Sequence, residues 1–493
     1  MGLSPDRRPP FSIRAFAQKG LFPAVLLASF LLRLIHLGNQ SLWFDETYTA
    51  FVARQPFDRM MQFLITDGVH PPLYYWWMAV WIRIFGASEW SLRLPSALGG
   101  ALAVWMLYLL VRRMAGEPEA LLSSVLLGAS PFLLWYSQDA RMYSLECLAA
   151  VAAVFSLWSY LHKPSAAGFL GLIFAHAFLY GLHYFGVFLF LAECMFLLLY
   201  WREYYRVWIP YLAAQAVAFL PLIVWGNILL HRENGSFGIS WIPRTGWADP
   251  ALTLLNFFTA NGGTWNLVAA AAGILLIVLF GLALRSGRCR EATAFGIFWL
   301  FLPIVMAWFL SQQIPIYIDR YLILSLPAAV VLASVGAVSV RGRKRWILPV
   351  LLLGTMLPGL WNLSLAADGF HKEDWRGAAE SIRMQSETGD VILVRVYQEA
   401  VPLDYYGLLD LSWIPVETNF VVALPGLDPS AKEYFLVYWI PSQSAHSFGT
   451  QTPKTYTEID PQVKEWLDRN FRILRVENDY HGVVILILEP VRG

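Results

Sequence analysis

Two adjacent carboxylates, Asp45 and Glu46, follow a long apolar run in the segment LWFDETY (42–48). One member of such a pair can serve as a general base and the other as an electrostatic or metal-binding group. The plain structural alternative is a helix N-terminus, whose first turn favours Asp and Glu. Further on, TDGVHPPL (66–73) places His70 before two prolines, and Pro is tolerated at a helix start. His70 then stands beside the beginning of a helix, where it can face the carboxylates or simply cap and pack. A third element, WYSQDARMY (135–143), contributes Asp139, Arg141 and Tyr143. A guanidinium suits bidentate contact with a phosphate; an ion pair between Arg141 and a carboxylate such as Asp139 is the simpler reading. Asp319-Arg320-Tyr321 repeats that chemistry at the head of a later apolar run. The stretch with His231, Arg232, Ser240, Trp241, Ile242, Pro243 and Arg244 adds donors and an aromatic face.

The elements that must position these residues are membrane helices. The 493 residues are 57% apolar and only 14% charged, with mean hydropathy +0.50, whereas a soluble domain averages about 25% charged residues. A soluble enzyme, a disordered chain and a disulfide scaffold are excluded; the three cysteines, Cys147, Cys194 and Cys289, lie far apart without metal-ligand spacing. Lys plus Arg number 36 against 35 Asp plus Glu, a formal charge of +1, so nucleic acid is not an expected partner. Runs near the roughly 20 residues needed to cross a bilayer fall at 21–38, 92–111, 119–135, 142–161, 166–184, 185–201, 207–229, 265–284, 292–310, 321–340 and 346–365. The break near Tyr184 is marked only by Gly181, His183 and Gly186. The first run reads as an anchor rather than a removable signal.

Basic residues set the direction. With Arg7, Arg8, Arg14 and Lys19 inside, alternate connections carry Arg112–Arg113, Lys163, Arg202 and Arg206, Arg285 to Arg290, and Arg341 to Arg345. All basic clusters then share the cytoplasmic face, and the chemistry-bearing loops and everything after 366 lie outside. The Trp- and Tyr-rich stretch 71–86 is read as a helix on the outer membrane surface, because counting it as a span would invert every later loop. Arg33 and His36 are within snorkelling reach of the outer interface. Glu146 and Glu193 sit deeper, as neutral hydrogen-bonded carboxyls or functional groups. After 366 the composition turns polar. A helix from about Asp374, a turn at Gly389–Asp390, strands at 391–396 and 434–440, a helix near 462–468 and two final strands indicate a small α/β domain, 367–493, beside a transmembrane domain, 1–366.

Together these residues describe an outward-facing polar cavity at the membrane surface with a base and phosphate-binding cations. A lipid-phosphate sugar fits it, since the tail can stay in the bilayer. LWFDE, DGVHPPLYYW, RLPSALGG (93–100), WYSQDARMY, SWIP (240–243) and DRYL (319–322) resemble, in the same order, the integral-membrane GT-C glycosyltransferases of the protein mannosyltransferase, aminoarabinose transferase and RgtA-like type. The resemblance covers most of the first 370 residues. It implies a GT-C-like fold of about eleven transmembrane helices plus interfacial helices, with a small extracytoplasmic α/β domain. It also implies inverting transfer of one sugar from a polyprenyl-phosphate donor to an acceptor hydroxyl on the outer face of a bacterial cytoplasmic membrane. Asp45 matches the family's base, flanked by Glu46, with Asp139 as a further catalytic carboxylate. Arg141, Arg320 and Tyr321 match the carrier-phosphate site; His70, Tyr143 and Trp241 would line the substrates. A divalent metal, if used, would fall to Asp45, Glu46, Asp139 and His70.

A transporter or lipid flippase also needs many spans and a polar cavity, but such folds show internal repeats and Gly/Pro-broken helices near the midplane, and neither is evident. A non-catalytic envelope assembly factor is the third class, against which the Asp45-Glu46 pair argues. The topology is directly testable. Reporter fusions near residues 113, 163, 204, 288 and 343 should read as cytoplasmic, and those near 50, 138, 240 and the C-terminus as external; a cytoplasmic C-terminus would overturn the eleven-span arrangement.

Overall fold

The computed structural model describes residues 13–232, 239, 242–260, 266–287, 289–364, 372–387, 390–394, 397–408, 433–439, 461–480 and 482–491. In hydrocarbon the backbone can bond only to itself, so the apolar runs fold as helices. In chain order the first are α1 (Ile13–Leu34), α2 (Phe44–Arg54), α3 (Phe57–Asp67), α4 (Leu73–Phe85), α5 (Glu89–Met114), α6 (Glu117–Gly128) and α7 (Pro131–Ser137). There follow α8 (Tyr143–His162), α9 (Ala166–Leu182), α10 (Gly186–Leu199), α11 (Trp201–Leu230), α12 (Asp249–Thr259), α13 (Leu267–Ser286) and α14 (Arg290–Ser311). A 3-10 turn, Asp319–Ser325, leads into α15 (Leu326–Ser339), and α16 (Ile347–Ser364) ends the apolar part. Among the described residues, seven helices are long and apolar enough to cross a bilayer: α5, α8, α11, α13, α14, α15 with its 3-10 turn, and α16. The bent pair α6–α7 makes an eighth if it forms one span, and α9, α10 and Gly20–Leu34 of α1 are shorter apolar helices.

Two sequence expectations need correction here. A broken helix does exist: α6 and α7 meet at 59°, because Pro131 opens α7 and the Ser130 hydroxyl caps its first turn by accepting the Leu133 N–H at 3.2 Å. Nor does Arg33 snorkel outward. It is fully enclosed, donating to Ser137 Oγ at 3.1 Å and to the Ser29 carbonyl at 2.8 Å. Gly100 on α5 makes that bond possible, since a Cβ there would lie 2.1 Å from Ser137 Oγ. Hydrophobic length indicates depth in the membrane, whereas the packing of α1 on α5 and α6 decides which face turns inward. The break near Tyr184 is present, between α9 and α10. Glu193 accepts from Tyr211 Oη at 2.5 Å and lies 2.8 Å from His176 Nε2; Glu146 faces His183 Nδ1 at 3.6 Å and forms no hydrogen bond.

The stretch 71–86 forms the expected short helix, α4. It is preceded by α2 and α3, in a region that the sequence left as a loop. Beyond α16, α17 (Trp375–Gln385), β1 (Val391–Val394), α18 (Tyr397–Tyr405), β2 (Tyr434–Trp439), α19 (Pro461–Asn470), β3 (Phe471–Tyr480) and β4 (Val483–Pro490) complete the chain. The strand order is β1-β2-β4-β3, parallel between β1 and β2 and antiparallel elsewhere. The expected helices and strands coincide with these elements; Gly389 and residues 395–396 and 440 lie outside the described residues.

The two ends of the bundle differ. One carries the N-terminal ends of α2, α5 and α8 and the 3-10 turn. At the other end the basic connections meet: Arg113 bonds Ser159 Oγ at 2.6 Å, and Cys289 Sγ reaches the Ala115 carbonyl at 3.6 Å. Through their midst runs α15, with Leu326 to Val338 all buried. It packs on α13 so closely that a Cβ on Gly336 would sit 1.9 Å from the Leu279 carbonyl oxygen, the close approach that small residues allow between membrane helices. Gly336→Ala must push the two backbones apart and should destabilise the protein by about 1–3 kcal/mol. The readout is a lower thermal midpoint in detergent; an unchanged midpoint would show that α13 and α15 are free to separate.

Candidate active site

The paired carboxylates begin α2, as the structural alternative required, and the helix separates them. Successive helical residues point about 100° apart, so Asp45 and Glu46 face different surroundings. Glu46 turns inward and is fully buried. Arg93 of α5 grips it through two 2.7 Å bonds, Nε to Oε1 and Nη2 to Oε2. The Ala140 N–H donates to Oε1 at 2.8 Å, and Lys372 Nζ lies 3.1 Å from Oε2. Burial opposes ionisation, but Arg93 and Lys372 outweigh it and hold the carboxyl down at about 2. The remaining Arg93 donors reach the carbonyls of Leu37, Gln40 and Ser41 at 2.8–3.0 Å, so one guanidinium pins the whole connection from α1 to α2.

Asp139 is likewise enclosed. Its Oδ1 accepts from the Trp43 indole at 2.7 Å and from Lys372 at 3.2 Å, while Oδ2 has no hydrogen-bond partner. Burial raises its carboxyl above the usual range, against the pull of Lys372. The simple reading of Arg141 as Asp139's ion-pair partner does not hold. Arg141 instead reaches Tyr75 Oη at 3.1 Å, Thr49 Oγ1 at 3.3 Å and the Asp45 carbonyl at 3.4 Å, and its Nε has no partner.

Asp45 is the partly open carboxylate, with 19% of its side chain exposed. Arg320 Nη2 lies 3.5 Å from its Oδ2, and the guanidinium carbon sits 5.5–5.7 Å from the ring centres of Trp43, Tyr143 and Tyr321. Tyr143 and Tyr321 stack with centroids 6.1 Å apart. Pro71 and Pro72 set His70 just ahead of α4, as expected. It is buried against Tyr321 and His183, with centroids 5.7 and 5.3 Å away and no partner for Nδ1. Burial, with Arg141, His183 and Arg320 nearby, keeps His70 well below its ordinary value and therefore uncharged at neutral pH. Trp241 lies outside the described residues. Among the described residues no three His, Cys, Asp or Glu side chains gather as a metal site, and Asp45, Glu46, Asp139 and His70 do not converge. Between Glu46 and Asp139 stands the Lys372 ammonium, and beside Asp45 stands Arg320.

One accessible carboxylate beside buried guanidiniums, in an aromatic setting at the end of a helical bundle, can activate a hydroxyl while binding an anion. Known proteins are similar to this chain in sequence and fold. Residues 69–225 match the family of dolichyl-phosphate-mannose-protein mannosyltransferases. An undecaprenyl phosphate-alpha-4-amino-4-deoxy-L-arabinose arabinosyl transferase of Pseudomonas paraeruginosa is 25% identical over 370 residues, 69% of this chain. The chain thus spans 63% of that relative's length. The crystal structure of ArnT from Cupriavidus metallidurans superposes with a TM-score of 0.60 at 14% identity over 96% of this chain and 98% of that one. The same protein bound to undecaprenyl phosphate gives 0.60 at 15% identity over 97% and 98%. The chain is thus similar in sequence to these transferases over part of its length and shares the fold of ArnT.

Within this frame the tertiary structure brings together Asp45, Arg141, Arg320, Tyr321, Tyr143 and His70, and it withdraws Glu46 and Asp139 into an ion cluster. Sequence reasoning passed over Arg93, Lys372 and Asp67. Arg93 carried a usable signal, a charge inside a long apolar helix, whereas nothing in spacing marks Lys372. Asp67, at the end of α3, interacts electrostatically with Arg141 and Asp45; burial raises its carboxyl to about 6, although Arg141 draws it down. It is therefore ionised above that pH and places negative charge beside Arg141. Affinity for a polyprenyl phosphate should match in wild type and Asp67→Asn below pH 5, and Asp67→Asn should bind about fivefold or more tightly above pH 7. Comparing the two proteins at each pH removes the lipid's own titration; equal affinities throughout would show that Asp67 does not touch the anion site.

Proposed function

We propose that this chain transfers a single sugar from a polyprenyl-phosphate carrier to an acceptor hydroxyl of an envelope lipid, glycan or protein, with inversion. The observation that carries this reading is the division among the carboxylates: Asp45 keeps an open face beside Arg320, whereas Glu46 and Asp139 are sealed by organic cations. Asp45 takes the proton as the acceptor oxygen attacks the anomeric carbon. The bond from that carbon to the phosphate oxygen breaks, and the leaving phosphate's charge falls to Arg141 and Arg320. Such a leaving group needs cations more than an acid. Retention would need a second carboxylate nucleophile in reach, and the enclosure of Glu46 and Asp139 favours a single inverting displacement. Tyr321, Tyr143, His70 and Trp241 are assigned to donor and acceptor contacts; Glu46 and Asp139 hold the loops.

The eight long or bent spans and the three shorter apolar helices support eleven crossings. With the basic end in the cytoplasm, the site opens on the outer face of a bacterial cytoplasmic membrane, N-terminus inside and the sheet-bearing part, 367–493, outside. In an assay following consumption of polyprenyl-phosphate sugars from a lipid extract, Asp45→Asn should slow transfer by about 100-fold or more while carrier binding persists. Near-normal turnover by folded Asp45→Asn would remove Asp45 from the chemistry.

A further inference from the structure

We infer that the chain following the last apolar helix clamps the catalytic loop in place, with Lys372 as its central positioning residue; this rests on Asp45 being the base. All three ammonium protons of Lys372 are used, on Gln138 O at 2.8 Å, Glu46 Oε2 at 3.1 Å and Asp139 Oδ1 at 3.2 Å. These partners belong to two different segments, the first turn of α2 and the turn before α8. Glu46 follows Asp45 and Asp139 lies two residues before Arg141, so Lys372 sets the spacing between the base and a phosphate-binding guanidinium.

The neighbours of Lys372 hold the other side of Asp45. A helix N-terminus leaves free amides, and at α2 the Phe44 N–H donates to Glu373 Oε2 at 3.1 Å, an oxygen that also takes the Trp375 indole at 2.7 Å. The Arg376 N–H donates to Ser41 Oγ at 3.0 Å. Tyr406 Oη accepts the Leu42 N–H at 2.8 Å and donates to Glu89 Oε1 at 2.6 Å. Residues 41, 42, 44 and 46 are thereby fastened to 372–406, and Asp45 is the member of that turn whose side chain is left toward solvent and Arg320. The acidic turn of α2 is capped from more than 300 residues downstream. A helix held this way keeps its geometry only while that segment is docked.

The test uses the full chain in detergent with a polyprenyl-phosphate sugar from lipid extract. Lys372→Met should lower kcat by about 100-fold, the cost of a displaced reacting group, with donor KM nearly unchanged. Its residual activity should fall further as pH rises, because Asp139, then facing Glu46 and Asp45 with Arg93 still interacting electrostatically, ionises without its partner. Lys372→Arg should recover part of kcat. A readout independent of Asp45 chemistry is the maleimide labelling rate of Phe44→Cys, which Lys372→Met should accelerate. Faster labelling alongside an active Asp45→Asn would sink the base assignment and leave the clamp standing. Unchanged labelling, or wild-type kcat and pH profile in Lys372→Met, overturns the clamp. Should Lys372→Met fail to fold, Tyr406→Phe, which removes one hydroxyl, should still slow kcat by about fivefold and speed Phe44→Cys labelling; no change in either overturns the proposal.

Discussion

A buried ion cluster, Glu46 with Arg93, Lys372 and Asp139, is the interaction on which the active-site end depends. Its members come from four places far apart in the chain: the first turn of α2, the start of α5, the turn before α8 and the segment after α16. A carboxylate out of water is tolerable only with charge partners and hydrogen bonds. Glu46 has two cations and a backbone amide. Removing any one partner would leave charge stranded in a low-dielectric interior, so the cluster holds its elements in one arrangement.

The cluster also explains how neighbouring acids take opposite roles. The turn of α2 directs Glu46 inward, where Arg93 fixes it, and Asp45 outward, where Arg320 approaches without covering it. In the proposed reaction, binding and chemistry are divided in the same way. Arg141 Nε has no partner, and Arg320 lies beside Asp45 and over three aromatic rings. Aromatic walls raise the effective strength of those charges by excluding water.

The bundle supports this end through close backbone contacts rather than through buried polar surface alone. Gly336 lets α15 approach α13, and Gly100 clears space for the bond between Arg33 and Ser137. The bend between α6 and α7 brings Ser137, and next to it Gln138 and Asp139, to the site. A helix broken at Pro131 thus serves positioning.

The sequence by itself determined the membrane character, the apolar helices, the short helix within 71–86, the strands near the C-terminus and the segments that carry the candidate site residues. Each follows from local quantities: run length, charge between runs, turn residues and alternation. That Asp45, Arg141 and Arg320 come together was foreshadowed because a charge beside an apolar run is costly unless it is partnered or used. Only the tertiary structure decided that Glu46 and Asp139 are anchors, that Arg33 points inward and that Lys372 completes the site. Those outcomes depend on which distant side chain supplies a counter-charge. Lys372 lies more than 300 residues from Glu46, and no periodicity links residues that meet only after the whole bundle has closed.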